Sequence, residues 1–318
     1  MNVLITGGAG FIGSNLANKL LIQGQNLRVI DNLSSGSTSN IDHLSDLEFI
    51  EGDIRDIALL NRVMPGIDLI YHFASSVGNK RSINNPVLDA DVNVMGTLNL
   101  LEAAHRHGVQ KIVLSSSACI FGEQKQLPIK EDHPIEPRTP YGCSKLYAEK
   151  IALSYADLYP IEAICLRYFN VYGRHQKFDA YGNVVPIFVF NLLANAPLYI
   201  YGDGQQTRDF VHVEDIVQAN IKAAETSCGS GAFNIGSGQN ISINQLIHEV
   251  RTLSNQLPQI IHAPPRAGDV RHSLADIAAA HDAFGYYPTV SIRQGLKDYL
   301  DWAVSYSRRH AAALYEGV

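Results

Sequence analysis

The stretch TGGAGFIG, residues 6–13, follows the apolar run NVLIT at 2–6 and opens a segment with helical periodicity, FIGSNLANKLLIQG at 11–24. Strand, glycine turn and helix, in that order, begin a nucleotide-binding βαβ unit. Gly7, Gly10 and Gly13 are spaced G-x-x-G-x-x-G. Glycine permits the tight turn and lets backbone N–H groups approach a pyrophosphate at the helix N-terminus. The spacing differs by one residue from G-x-G-x-x-G. Its place between a first strand and a first helix is what gives it meaning.

Outward from that turn, short β-rich runs alternate with helical patterns. LRVID (27–31), LEFIEGD (47–53), DLIYHFA (68–74), KIVLSSS (111–117) and EAICLRYFN (162–170) read as strands. The segments 86–107 and 141–159 read as helices. Such alternation predicts an α/β fold, a Rossmann-type doubly wound parallel sheet with helices on both faces. Beyond 172 the regularity breaks. Residues 173–206 read as loop-rich, 209–225 and 232–236 return to strand–helix–strand, and after 242 come a helix, a strand, a loop and two helices. The expected division is a nucleotide-binding domain over 1–172, to which 207–236 returns. A smaller, interwoven C-terminal lobe, 173–206 and 237–318, would bind substrate.

Bulk composition bounds the rest. The chain has 318 residues, a net charge of −6 and 46% apolar residues, the values of an ordinary globular protein. The acidic balance argues against nucleic acid or an anionic membrane as the main partner, but not against a small anion held by a few arginines. No apolar run reaches the roughly 18 residues that span a bilayer, and MNVLITGGAG lacks the basic start and cleavage site of a signal peptide. The cysteines at 119, 143, 165 and 228 have no metal-type spacing. Reduced thiols, no metal and a cytoplasmic location are the expectation.

Two places carry chemistry. Asp31 ends the second strand, where a carboxylate accepts hydrogen bonds from the adenosine ribose and repels a 2′-phosphate. The residues that follow, NLSSG, include no arginine, which favours NAD over NADP. Asp53, after the third strand, either reaches the adenine edge or caps a helix. In YGCSK (141–145), Tyr141 and Lys145 share one helix face. A free tyrosine, with a pKa of about 10, is a poor base near neutrality. A lysine ammonium and a cationic nicotinamide beside it would favour the phenolate. Upstream, SSSACIFG (115–122) puts three serines at a strand end, a place to hold a hydroxyl.

Together these motifs resemble the extended short-chain dehydrogenase/reductase family, over nearly the whole chain. The motifs that carry the likeness are TGGAGFIG, the DN pair at 31–32, GDI at 52–54, HFA at 72–74, NVMGTLNLLEAA at 93–104, SSSACIFG, YGCSK and RYFNVYG at 167–173. GDGQQTRDFVHVEDI (202–216) and PRAGDVRHSLADI (265–277) are similar to the sugar-nucleotide epimerase and dehydratase branch, nearest to its UDP-glucose and UDP-N-acetylglucosamine 4-epimerases.

The resemblance implies tightly bound NAD, contacted by Gly7, Gly10, Phe11, Ile12, Gly13, Asp31, Asn32, Ser35, Gly36, Asp53, Ile54, Phe73, Ala74, Ser75, Asn93, Ser115, Tyr141, Lys145 and Tyr168. It makes Tyr141 the base, Lys145 the residue that binds the nicotinamide ribose and lowers the tyrosine pKa, and Ser117 the partner of the sugar 4-hydroxyl. It implies a UDP-sugar held by Asn170, Asn183, Val184, Tyr199, Tyr201, Arg208, Arg266 and Asp269, with Ser273 bordering the sugar 2-substituent. It also implies a homodimer through a four-helix bundle of the helices at 86–107 and 141–159.

The same likeness separates reactions. Related 4,6-dehydratases carry Thr-Asp-Glu where this chain has Ser117-Ala118-Cys119, and related decarboxylases and GDP-mannose dehydratases carry a Glu in that segment. Neither alanine nor cysteine can act as the carboxylic acid. The expected activity is therefore 4-epimerisation, through a 4-keto sugar and hydride return to its opposite face. Ser273, small where some relatives have tyrosine, leaves room for an N-acetyl group. That favours UDP-N-acetylglucosamine and UDP-N-acetylgalactosamine, then UDP-glucose and UDP-galactose. The competing readings are a UDP-uronate epimerase, for which a basic loop NKRS (79–82) would serve unless it is simply a solvated loop, the reading its composition favours, a dehydratase or decarboxylase, and a non-catalytic NAD-binding regulator. The chain departs from the family at Ile120-Phe121-Gly122, where Val-Tyr-Gly is usual.

Overall fold

The computed structural model describes residues 1–178, 182–265 and 270–309. The first part runs β1 (Asn2–Thr6), α1 (Phe11–Ile22), β2 (Asn26–Asp31), β3 (Leu47–Glu51), α2 (Ile57–Val63), β4 (Leu69–His72), α3 (Asn79–Asn84), α4 (Pro86–Ala90), α5 (Thr97–Arg106), β5 (Lys111–Ser117), α6 (Pro140–Leu158) and β6 (Glu162–Tyr168). The second runs β7 (Asn170–Tyr172), α7 (Val184–Leu193), β8 (Leu198–Tyr201), β9 (Thr207–Arg208), β10 (Phe210–His212), α8 (Val213–Glu225), β11 (Gly231–Ile235), β12 (Ile241–Ser242), α9 (Ile243–Ser254), β13 (Ile260–Ala263), α10 (Ala278–Phe284) and α11 (Ile292–Arg309).

Seven parallel strands form the main sheet in the order β3-β2-β1-β4-β5-β6-β11, the expected Rossmann-type doubly wound arrangement. Strand order reverses between β1 and β4, which opens a crevice at their carboxyl ends. Alternate residues face opposite cores. Val3, Ile5, Val113, Ile164 and Leu166 point to the side covered by α1, α8 and α10. Leu4, Ile112, Leu114, Ala163 and Cys165 point to the side covered by α2, α5 and α6. Strands buried on both faces have no polar side, so they read as unbroken apolar runs. The second lobe has its own core, where α7, α9 and α11 bring Phe188, Leu246 and Tyr299 together over Leu198 and Ile200 of β8. Phe284 and Tyr286 pack on the main sheet, so part of the stretch 237–318, expected in the smaller lobe, covers the first domain instead. No helix among the described residues is long and apolar enough to cross a membrane.

Four local expectations are corrected. Residues 173–206 are not only loop: they hold α7 and β8. The α7 sequence VVPIFVFNLL is apolar all round, so it shows no amphipathic period. NKRS (79–82) lies in the short helix α3, not in a loop. The strand expected over 162–170 stops at Tyr168, and Asn170–Tyr172 pairs with β10 instead. The helix over 86–107 runs without a break from α4 into α5 but passes through a π-helical stretch, Asp91–Gly96, a widening that often marks functional sites.

Beneath the carboxyl edge, a buried ion pair ties α6 to β5 and β6. Arg167 donates to both Glu149 oxygens, Nε at 2.9 Å and Nη2 at 2.7 Å. Ser116 Oγ donates to Glu149 at 2.8 Å, and Arg167 Nη1 to the Glu131 carbonyl at 2.9 Å. The side chains are 4% and 0% exposed. Arg167→Met should lower the unfolding free energy in urea by about 3–5 kcal/mol, because it leaves a buried carboxylate unpaired. The double variant Arg167→Met/Glu149→Leu should lose clearly less. Equal losses would show that the pair itself, and not the orphaned charge, sets the cost.

Candidate active site

The glycine turn closes on itself at the crevice. Gly7 has φ +70°, and a Cβ on Gly13 would sit 2.4 Å from the Gly7 carbonyl oxygen. Only glycine lets α1 start this close to the turn. Gly10 is the N-cap, no side chain caps the helix, and its first turn has no acidic residue. The first-turn amides and the positive end of the helix dipole are thus suited to a pyrophosphate. Phe11 and Ile12 pack against the main core. Asp31 is buried at the end of β2 and accepts from Ala9 N at 3.0 Å and Leu33 N at 2.8 Å. Burial pushes its carboxyl above the usual range, and those backbone bonds pull it back. A Cβ on Gly36 would lie 2.9 Å from both Asp31 oxygens, so Gly36 keeps the space beside that carboxylate open. These residues fit an NAD adenosine and pyrophosphate.

Asp53 accepts from Asn32 Nδ2 at 2.7 Å and Arg55 Nε at 2.9 Å, and the guanidinium holds its pKa at about 2. It does not cap α2, whose N-cap is Asp56, accepting from Leu59 N at 3.0 Å. Ile54 is buried, and Ser35 is exposed. Phe73 stacks on Tyr71, and Ala74 N donates to Thr6 Oγ1 at 3.3 Å. Asn93 lies in the π-helical stretch and holds the turn after β4. Its Oδ1 accepts from Ser75 Oγ at 2.9 Å and Ser76 N at 2.7 Å, and its Nδ2 donates to Ser76 O at 3.0 Å.

The sheet edge and α6 meet at the reacting end. Tyr141 faces Ser117, whose hydroxyl lowers the phenol. Lys145 Nζ donates to Ser115 Oγ at 3.3 Å, and Ser115 Oγ donates to the His72 carbonyl at 3.0 Å. A chain of donors therefore sets the direction of the ammonium. Beneath it the His72 ring is clamped between Thr6 Oγ1 at 2.7 Å and Thr97 Oγ1 at 3.0 Å. Thr97 donates to the Asn93 carbonyl at 2.7 Å, so it accepts from His72 Nε2, and Nδ1 accepts from Thr6. Burial, with Lys145 nearby, keeps His72 neutral at a pKa of about 3. Burial also lowers Lys145 to about 8 and pushes the Tyr141 phenol well up, with a Ser117 hydrogen bond pulling it down. The lowering of Tyr141 expected from Lys145 does not appear: burial is the largest of the causes that push the phenol up, and Ser117 is the group that pulls it down. The Cys119 thiol is pushed up by burial and stays neutral, with Ser117 and Asn79 pulling it partly back.

The second lobe approaches the same edge less tightly. Tyr168 turns its hydroxyl to Asn220 Oδ1 at 2.9 Å, so it offers the site no hydroxyl. Asn170 donates to the Asp209 carbonyl at 3.2 Å. Asn183 is exposed at the start of α7, beside half-buried Val184. Tyr199 is 46% exposed, and Tyr201 lines a cavity with Gln206 and Arg271. Arg208 Nη1 donates to the Thr207 carbonyl at 2.8 Å, and Ser273 is buried with its N–H on that same carbonyl at 3.1 Å. Arg266 and Asp269 lie outside the described residues.

Sequence reasoning missed several groups here. Ser82 Oγ accepts from Tyr141 N at 3.1 Å, and Asn79 Oδ1 accepts from Thr139 Oγ1 at 2.9 Å. Both sit in the segment taken as a loop. Ser144 and Asp89 join Asn93 in one buried cluster. The signal available was the four-residue spacing of Asp89 and Asn93.

Comparison with known proteins identifies the family. The sequence profile of the NAD dependent epimerase/dehydratase family matches residues 3–236. The chain is 36% identical over 303 residues to a UDP-glucose 4-epimerase of Mycolicibacterium smegmatis, covering 93% of this chain and 96% of that one. The UDP-glucose 4-epimerase of Thermotoga maritima, solved with UDP-glucose, superposes with a TM-score of 0.93 at 35% identity, over 96% of this chain and 99% of that one. The UDP-N-acetylglucosamine 4-epimerase of Methanobrevibacter ruminantium, solved with UDP-N-acetylmuramic acid, gives 0.92 at 32% identity, over 96% and 98%. This chain belongs to the NAD-dependent epimerase/dehydratase family of extended short-chain dehydrogenases/reductases, and NAD is its cofactor. Gly13→Ala should weaken NAD binding at least about tenfold, or 1.4 kcal/mol, by calorimetric titration. Unchanged affinity would mean that the close approach of α1 to the turn does not serve the pyrophosphate.

Proposed function

We propose that this member of the NAD-dependent epimerase/dehydratase family interconverts the C4 epimers of a UDP-sugar, with UDP-N-acetylglucosamine and UDP-N-acetylgalactosamine as its preferred pair. The observation that carries the reading is the meeting of Ser117, Tyr141 and Lys145 at the carboxyl edge of β5, beside the glycine turn. Bound NAD supplies a hydride acceptor and donor for carbon 4. Ser117 Oγ and Tyr141 Oη hold the 4-hydroxyl. Tyr141 takes its proton as the 4-keto sugar forms and gives it back when the ketone is reduced from the other face. Lys145 provides the positive charge that a buried phenolate needs. Ala118 and Cys119 follow Ser117, so no carboxylic acid stands there to drive loss of a hydroxyl, and the thiol is neutral.

The second lobe would hold the nucleotide through Tyr199, Tyr201 and Arg208, with Arg266 and Asp269 completing the grip. Ser273 supports the N-acetyl sugar because it is small and lies against the Thr207–Arg208 strand. Proton NMR of the purified protein with UDP-N-acetylglucosamine and no added cofactor should show UDP-N-acetylgalactosamine appear. Turnover of UDP-glucose alone would overturn the reading of Ser273. Tyr141→Phe should lower kcat by about 10²–10⁴-fold while NAD stays bound, measured in the same assay. A smaller loss would remove Tyr141 from the base role.

A homodimer fits the outer face of α4 and the π-helical stretch. Val87 and Met95 are 78% and 48% exposed there, next to Pro86, Ala90 and Val94. An apolar surface of this kind favours a partner, and a second copy would pair it with itself through a two-fold axis. Val87→Lys/Met95→Lys should give a monomer by light scattering. A dimer of unchanged strength would locate the interface elsewhere.

A further inference from the structure

Helix α1 carries the turn suited to a pyrophosphate. Among the described residues, its side chains hydrogen-bond another segment only at Arg174 and His175, just after β7. His175 Nδ1 lies 2.8 Å from Ser14 Oγ, and Asn15 Nδ2 donates to the Arg174 carbonyl at 3.0 Å. Ser14 Oγ is also 2.6 Å from the carbonyl of Gly10, the N-cap, and 3.3 Å from that of Phe11. A carbonyl only accepts, so the serine proton stays within the helix turn. The His175 ring therefore carries its proton on Nδ1 and donates to Ser14. Burial, with the basic groups of His43, Arg174, Lys177 and Arg309 around it, lowers the ring to about 4, so it is neutral near pH 7. On its other side the segment is held by α11. Tyr299 Oη donates to the Gln176 carbonyl at 2.5 Å, and the His175 and Trp302 rings meet edge-on, centroids 6.1 Å apart. Tyr299 and Trp302 belong to the core of the second lobe. His175 has φ +69°, a left-handed backbone that is costly for a non-glycine residue. Such a conformation persists only where its surroundings hold it, as they do here.

We propose that His175 is a positioning residue, a strap that ties α1 and its glycine turn to the second lobe; the proposal rests on the reading above, in which that lobe holds a UDP-sugar and the turn holds NAD. Leu16, Ala17 and Leu20 pack α1 on the main sheet. Apolar packing is non-directional. The register of the first turns of α1 is set instead by the directed bonds of Ser14 and Asn15. Cofactor and sugar are gripped by different lobes, so the rate of hydride transfer depends on how closely the lobes hold them in register. His175 is the side chain that reaches from one lobe to the N-cap turn of the other.

The ¹⁵N NMR signals of the His175 ring, assigned by their loss in His175→Gly, give the tautomer without turnover. Nδ1–H is expected in the native protein, with a move to Nε2–H in Ser14→Ala. An Nε2–H ring in the native protein overturns the proposal. His175→Gly relaxes the left-handed backbone but removes the donor. His175→Asn keeps both, since asparagine tolerates that backbone and its Nδ2 stands where the imidazole Nδ1 stands. His175→Gly should lower kcat for UDP-N-acetylglucosamine epimerisation about tenfold or more with KM unchanged, and His175→Asn should recover most of that loss. NAD affinity, by calorimetric titration, should fall about two- to tenfold in His175→Gly and in Ser14→Ala, and no further in the double variant. Unchanged NAD affinity, a loss that asparagine does not recover, or losses that add in the double variant overturn the proposal. A shared, non-additive loss of NAD affinity in a protein that epimerises no UDP-sugar supports the strap and refutes the reaction reading instead.

Discussion

The main sheet is covered on both faces, and this constraint decides where everything else can stand. Its strands have no polar side, so polar groups collect at the carboxyl edge, where the chain turns from strand to helix. At β1 that turn is made by glycines, at β2 it ends on Asp31, and at β5 it ends on three serines. Each serine has a different neighbour. Ser115 accepts from Lys145, Ser116 donates to Glu149, and Ser117 pairs with Tyr141. One short run of small hydroxyls thus locks α6 against the sheet and presents Tyr141 at the crevice.

Burial then sets an electrostatic problem that side-chain identity alone does not reveal. The same dry environment raises the Tyr141 phenol and lowers Lys145 to about 8, so each group is pushed towards its neutral form. A proton can move to and from Tyr141 near neutrality only if fixed charge and hydrogen bonds counter that push. Ser117 lowers the phenol, and Asp89 raises the lysine but also the phenol, so its charge helps one group and opposes the other. The hydroxyl–imidazole–hydroxyl clamp on His72 serves the same end by keeping a second positive charge away from Lys145.

Much of this was legible in the sequence, for identifiable reasons. Glycine spacing survives as a pattern because only glycine fits where Gly13 meets Gly7. Tyr141 and Lys145 were visible because one helical turn fixes their relation. Helix α7 was not, since an apolar face all round carries no period. Asp89 was not visible either, because its burial comes from packing of α4 on α6, two elements far apart in the chain. The side-chain orientation of Tyr168 is likewise tertiary: its hydroxyl is fixed by Asn220 of α8.

The central claim is that a hydride leaves carbon 4 and returns to the same carbon within one bound sugar. Epimerisation of UDP-N-acetylglucosamine carrying deuterium at carbon 4, followed by proton NMR and mass spectrometry, tests it directly. The account predicts that UDP-N-acetylgalactosamine forms with the deuterium retained at carbon 4. Product in which that deuterium has been exchanged for solvent hydrogen would contradict it, since the label would then have left as a proton and not as a hydride.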